Sequence, residues 1–369
     1  MSEGLSQKLA WTEPDADAPR LADLTAQLTE EDGLTADREE WPASLWDRLE
    51  RAGAPRWTLP AEYGGAACPR PLLVQRAAQL AGGSLTAVFI LSQHEAALRR
   101  LLAAAETATA DRWLHAVGAG RAVATVGISH LTTSRRLGAQ AIKVIELGPG
   151  RYRLEGTMPW VTAARRADLF VTGAALDDGR QMLIALPADR PGVEVCPPFP
   201  LAALQASCTS QVLLHAVDVD DSDLLAGPAR EIMSHAAAVG TGGLETSALA
   251  LGQARAALAA LVALAPDRGD LAEPLEALCE SWAVAWRQLI ARAKQDPMAV
   301  SPEAIRASAN ALVLRATQAY LTARKGTGFL RTEPAQRWAR QALFFLVWSC
   351  PAPIAQAAIR DLAGLCPAV

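Results

Sequence analysis

The sequence predicts an α+β protein with a helical N-terminal part, a central antiparallel β domain and a helical C-terminal part. Three changes of texture predict it. Residues from about Leu21 to Gly120 carry Ala and Leu at helical spacing. From Ala122 to about Pro228 the chain breaks into short segments with alternation or β-branched content, separated by turn signals. After Ala229 long helical patterns return. The expected units are 1–121, 122–229 and 230–369.

In the first unit, Gly82-Gly83 marks a break between two helices, and Pro42 and Pro60 sit at starts or turns. The second unit contains KVIEL, RYRLEG, ADLFVTGAAL, QMLIALP and QVLLHAVDV. The turns Gly148-Pro149-Gly150, Asp177-Asp178-Gly179 and Arg190-Pro191-Gly192 divide them. Five or more strands at this spacing suggest a barrel or sandwich. In the third unit, small residues from Gly240 to Leu264 let helices pack closely. Pro266 to Pro274 interrupts the pattern, and helices follow from about Leu275 to Gln295 and from Pro302 to Arg324.

At 369 residues the chain can bury a sizeable core, and 51% hydrophobic with 20% charged residues suits a globular protein. The 35 basic and 39 acidic residues are dispersed, so nucleic acid is not an expected partner. The N-terminus lacks the apolar stretch of a signal peptide, and no run approaches the roughly 20 apolar residues of a membrane helix. Six cysteines without a Cys-x-x-Cys pair fit a reducing cytoplasm better than a zinc site or a disulfide framework.

Several motifs fall in one order along nearly the whole chain. LPAEYGG spans Leu59 to Gly65. YRLEGTMPWVTAARRADLFV places Tyr152, Leu154, Gly156, Trp160, Val161, Thr162, Ala167 and Asp168 in register with a known strand motif. Arg268 precedes Pro274-Leu275 by a short turn. Gly326, Gly328 and Phe329 form a Gly-x-Gly-aromatic turn before Pro334, Arg337 and Arg340. Taken together, the chain resembles the acyl-CoA dehydrogenase family.

That resemblance implies an N-terminal helical domain, a central β-barrel or sandwich and a C-terminal four-helix bundle. It implies FAD between the β domain and the bundle, in a homodimer or homotetramer whose second subunit completes the site. Trp160 would pack on the isoalloxazine and Thr162 would face its pyrimidine edge, because a flat aromatic shields the reduced ring and a hydroxyl polarises it. Taken alone, Trp160 would suit a barrel core equally well. Arg268 would pair with pyrophosphate oxygens, or be solvated. The turn at Gly326 and Thr327 would offer backbone N–H groups, or simply end a helix.

The departures are as informative. Where the family has Thr-Glu-Pro-x-Ala-Gly-Ser-Asp, this chain has GISHLTTSRRLGA, leaving Ser129, His130, Thr132, Thr133 and Ser134 as hydroxyl or imidazole candidates for the cofactor. His130 would donate to a flavin carbonyl or sit near substrate. The family's catalytic Glu falls on Ser349, whose hydroxyl cannot take an α-proton unaided. Relatives that move the base to an earlier helix place it at Gly242 or Gly243 here, and Glu245 lies about one turn on. Otherwise Glu245 is an N-terminal helix glutamate favoured by the dipole.

Three functions follow from the resemblance. One is an FAD-dependent oxidoreductase of an acyl thioester with an atypical base, passing electrons to an electron-transfer flavoprotein or a reductase. The second is a flavin-dependent monooxygenase on the same fold. The third is a catalytically silent flavin-binding or flavin-free scaffold.

Overall fold

In the computed structural model, which describes residues 2–131, 142–230, 232, 243–348, 350 and 352–365, helices flank a mixed β-sheet. The N-terminal helices are α1 (Ser2–Lys8), α2 (Ala18–Thr35), α3 (Ala43–Arg51), α4 (Arg70–Gly83), α5 (Leu85–Leu102) and α6 (Ala108–Gly118). The break at Gly82-Gly83 is a capping event. Ser84 turns extended, and its hydroxyl accepts the Ala87 N–H at 3.1 Å, satisfying one of the free donors that open α5.

The strands are β1 (Ala124–Gly127), β2 (Lys143–Gly148), β3 (Arg151–Val161), β4 (Leu169–Ala175), β5 (Gln181–Pro187), β6 (Val193–Pro198), β7 (Ser210–Asp220) and β8 (Leu224–Ala229). They follow the order β6-β7-β3-β2-β4-β5-β8, with β1 beside β4. The expectation of a wholly antiparallel domain needs one correction. β1 runs parallel to β4 from Ala124↔Leu169 to Gly127↔Thr172, and β2 touches β4 in parallel at Lys143↔Ala175. A parallel partner needs a long crossover, and here residues 128–168 supply it. β1 is four residues long and buried throughout, so it offers no alternation to read.

Side-chain alternation divides the sheet's two faces. Tyr152, Leu154, Met158, Val161, Phe170, Ile184 and Val212 build one core. Leu169, Val171, Leu183 and Ala185 point the other way, onto Leu98 and Leu101 of α5 and Leu114 of α6.

The C-terminal helices are α7 (Leu244–Leu264), α8 (Ala272–Ala293), α9 (Pro302–Arg324), α10 (Pro334–Leu343) and α11 (Ala352–Leu362). They share a single core with the N-terminal helices: Leu28, Ala78 and Leu85 pack in one cluster with Leu251, Ala254, Trp282 and Val313. Glycine permits this. A Cβ on Gly252 of α7 would overlap the Ala78 carbonyl of α4, and one on Gly82 would press on the Gly252 carbonyl at 3.1 Å. By length and composition Leu244–Asp267 is apolar enough to span a membrane, but 67% of its apolar window is buried, packed against α4, α8 and α9. It reads as a core helix.

Candidate active site

β3 ends at Val161, and the residues on either side of that end face different surroundings. Trp160 is 51% exposed, with its ring centroid 4.7 Å from that of Phe199. Thr162 is buried; its Oγ1 lies 3.2 Å from Thr209 Oγ1, which is in turn 2.9 Å from Ser207 Oγ. Thr125 Oγ1 donates to the Thr162 carbonyl at 2.9 Å. A chain of hydroxyls thus fixes the strand end while the indole is left at the surface.

The loop after Phe199 ties this corner to α10. Gln205 Nε2 donates to the Phe199 carbonyl at 3.0 Å, and Arg340 Nη1 donates to the Ala202 carbonyl at 2.9 Å. Arg340 also grips Asp37 with both Nη atoms, at 3.2 and 2.7 Å. One turn earlier, Arg337 Nε lies 3.0 Å from Asp32 Oδ2, with both side chains enclosed. Burial raises the Asp32 carboxyl, while Arg337 and the Ser84 hydroxyl pull against it. The two arginines of the family-like helix therefore bind α2 and the residues just beyond it.

Beside Arg340 opens a cleft of about 480 Å³ lined by Gln318, Leu321, Phe329, Arg331 and Leu343. Phe329 is 77% and Leu343 52% exposed, so apolar surface here is uncovered in a single chain. Gly326 and Thr327 lie in the same 3₁₀ turn, Lys325–Phe329. Nothing lies within 4 Å of a Cβ placed on Gly326, and Thr327 Oγ1 donates to the Arg324 carbonyl at 2.6 Å.

The remaining expected residues are more scattered. Arg268 is bound by Asp270 through two hydrogen bonds of 2.7 and 2.6 Å, which raise its pKa, and it reaches the Ala323 carbonyl at 3.3 Å. Ser129 is half-buried in the turn Ser129–Leu131. His130 is fully enclosed, and burial lowers its pKa. Its Nε2 donates to the Gly173 carbonyl at 2.8 Å, which leaves Nδ1 without a hydrogen-bond partner among the described residues. Thr132, Thr133, Ser134, Gly242 and Ser349 lie outside the described residues.

The chain leading to position 349 is well held. Phe89 of α5 meets Phe344 and Trp348 edge-on, each at 4.9 Å. From α9, Arg306 Nη2 donates to the Trp348 carbonyl at 2.8 Å and Asn310 Nδ2 to the Phe345 carbonyl at 2.9 Å. These are the free acceptors where the α10 segment ends. Burial lowers the Arg306 pKa to about 10.

At the opening of α7, Glu245 accepts from Arg70 Nη2 at 3.2 Å and pairs with Arg99 Nη1 at 3.3 Å. Its Oε2 lies 2.5 Å from where a Gly243 Cβ would stand, so the carboxylate folds back over the helix N-cap. Burial pushes its pKa up, but Arg99 and Arg70 pull harder and leave it below the ordinary value. Glu95 of α5 contacts the same Arg99 Nη1 at 3.9 Å. Burial, and then the Glu245 charge, push Glu95 up to about 7 against a partial pull from Arg99. Sequence reading missed Glu95, because an isolated Glu in an Ala-rich helix carries no motif.

No known family profile matches the chain. A probable acyl-CoA dehydrogenase of Bacillus subtilis (strain 168), YngJ, is 28% identical over 164 residues, a stretch that spans 43% of this chain and 43% of that protein. A glutaryl-CoA dehydrogenase from Mycobacterium smegmatis, solved with FADH2, superposes with a TM-score of 0.78 at 19% identity, covering 95% of both chains. KijD3, solved with FMN and a dTDP-linked amino-keto sugar, superposes with a TM-score of 0.75 at 18% identity, covering 97% of this chain and 96% of that one. The chain therefore has the acyl-CoA dehydrogenase-like fold over nearly its whole length.

Proposed function

We propose that the chain is a flavin-dependent oxidoreductase of an acyl thioester, with FAD lying between the end of β3 and α10. The observation that carries this is Trp160. A large indole, half exposed and tilted on Phe199, sits where Arg340 ties the adjoining loop to the closing helix. A soluble protein leaves such a ring uncovered chiefly where something flat is to cover it.

The residues present fit a flavin. Trp160 and Phe199 offer an aromatic wall, the buried Thr162 hydroxyl lies beside it, and Phe329, Leu343 and Arg331 line the continuing cleft. Bound there, the flavin would supply a two-electron acceptor for hydride. The protein's part is to exclude water with Trp160 and Phe199, orient the ring from the strand end, and remove a proton. Glu245 at the start of α7 is the candidate for that last task, with Glu95 of α5 beside it across Arg99. Arg268, Gly326 and Thr327 would meet the cofactor's diphosphate end, in line with a homodimer or homotetramer in which a second copy covers the exposed apolar cleft. An electron-transfer flavoprotein or reductase would reoxidise the flavin, and the cytoplasm is the proposed compartment.

The kinship with YngJ favours the thioester reading, while KijD3 shows that the same fold is solved with a different flavin and a sugar nucleotide. Anaerobic titration with saturated acyl-CoAs decides between them. Bleaching of the flavin absorbance by a thioester is the expected result. A flavin that no thioester reduces, yet that consumes oxygen once reduced by NADH and a reductase, would move the chain to the monooxygenase class.

A further inference from the structure

We propose that Ser207 and Thr209 are positioning residues that make the Thr162 hydroxyl an obligate hydrogen-bond donor to the flavin's pyrimidine edge. This rests on the oxidoreductase reading above and assigns the groups that set the direction of one of its contacts.

Counting protons gives that direction. Thr209 Oγ1 lies 3.2 Å from Thr162 Oγ1 and 2.9 Å from Ser207 Oγ. Three hydroxyls bring three protons, and the two contacts between them use two. Among the described residues, neither the Ser207 nor the Thr209 hydroxyl has a further acceptor, and both side chains are buried. A buried O–H without an acceptor is costly. The arrangement that avoids this cost has Ser207 donating to Thr209 and Thr209 donating to Thr162. The unspent proton is then the one on Thr162, at the end of the chain beside the slot.

Position supports the assignment. The Thr209 carbonyl accepts the Phe199 N–H at 2.9 Å, and Phe199 is the ring on which Trp160 is tilted. The Ser207 carbonyl accepts the Ala163 N–H, also at 2.9 Å, which fastens the residue after Thr162. One turn thus holds both the aromatic wall and the hydroxyl. That turn is in turn anchored on α2, where the Ala206 N–H reaches the Ala36 carbonyl at 3.2 Å. Three residues around it, Ala163, Leu204 and Cys208, hold φ of 56°, 60° and 48° without being glycine. L side chains adopt that backbone at a cost. Strain of this kind persists where the surroundings impose it, and it collects at working sites.

The fixed direction has a chemical consequence. Electron density on the pyrimidine edge rises when a flavin takes up two electrons. A donor held there favours the reduced form, and so makes the flavin a stronger oxidant. A hydroxyl free to rotate would accept as readily as it donates and would supply less of this bias.

The test is the midpoint potential of FAD bound to the protein, measured anaerobically against a reference dye. Thr209→Val should weaken binding of reduced relative to oxidised FAD about tenfold, a fall of about 30 mV for a two-electron couple. Thr209→Ser keeps the hydroxyl and should restore the wild-type potential. Thr162→Val should lower the potential at least as far as Thr209→Val. The double variant should fall no further than Thr162→Val alone, because Thr209 acts only through Thr162. Ser207→Ala is the gentler change, usable even where Thr209→Val does not fold, and should give a smaller fall. A wild-type potential in Thr209→Val or Ser207→Ala, a rise in either, or additive falls in the double variant overturns the proposal alone. A wild-type protein that takes up no FAD overturns the oxidoreductase reading and the proposal together.

Discussion

Arg337 and Asp32 meet at 3.0 Å in a place where the two side chains are 5% and 1% exposed. Their contact joins the last helical segment to the first helical layer, and Ser84 at the start of α5 donates to the other Asp32 oxygen at 2.6 Å. Removing the cation alone would strand a buried carboxylate. Arg337→Met is therefore expected to lower stability by about 3–5 kcal/mol, read as a fall in the urea midpoint. Pairing it with Asp32→Asn should restore part of that loss.

The pH dependence of stability should carry the signature of Glu95. Its folded pKa is raised from 4.5 to about 7, so the folded state binds a proton more readily than the unfolded chain does. Its contribution is full below pH 4.5 and is lost as pH rises through 7. Glu95→Gln, fixed in the neutral form, should match wild type near pH 4 and exceed it near pH 8, by at most on the order of 3 kcal/mol. Urea unfolding at the two pH values reads the difference. Glu245 should act oppositely: its lowered pKa gives stability above the unfolded value that fades as pH falls.

Helix contact through glycine gives a third expectation. A methyl group on Gly252 would occupy the same space as the Ala78 carbonyl, and backbone cannot move aside as a flexible side chain would. Gly252→Ala should cost about 1–3 kcal/mol despite its better helix propensity. Gly269→Ala, with nothing within 4 Å, is the control that should unfold like wild type.

Much of this architecture was legible in the residues. Ser301 caps α9, whose span Pro302–Arg324 is the one the pattern predicts, because a cap, a first-turn proline and helical spacing all agree. The segment RYRLEG was legible from its alternation after the Gly148-Pro149-Gly150 turn, and it opens the longer strand Arg151–Val161. The parallel strand β1 was not, since four continuously buried residues have no period. Nor was the site's charge balance. Arg70, Glu95, Arg99 and Glu245 are separated by up to 175 positions and meet only because α4, α5 and α7 pack together. His130 shows the same limit: its chemistry was visible, but which nitrogen was already committed was not.

Arg306 offers a cleaner test of how the segment before position 349 is held. Among the described residues its guanidinium gives a single hydrogen bond, to the Trp348 carbonyl, while Nε and Nη1 have none. Arg306→Ala should cost about 1–3 kcal/mol and shift Trp348 fluorescence, since the carbonyl loses its buried donor. Arg306→Lys keeps one donor and should recover a good part of both effects.

Whether Trp160 borders a flavin slot is read from the absorption spectrum of the purified protein. Flavin bands should persist through gel filtration, and a Trp160→Ala variant should fold normally but lose the cofactor on dilution. A colourless protein that still takes up no FAD when incubated with excess cofactor would contradict the assignment.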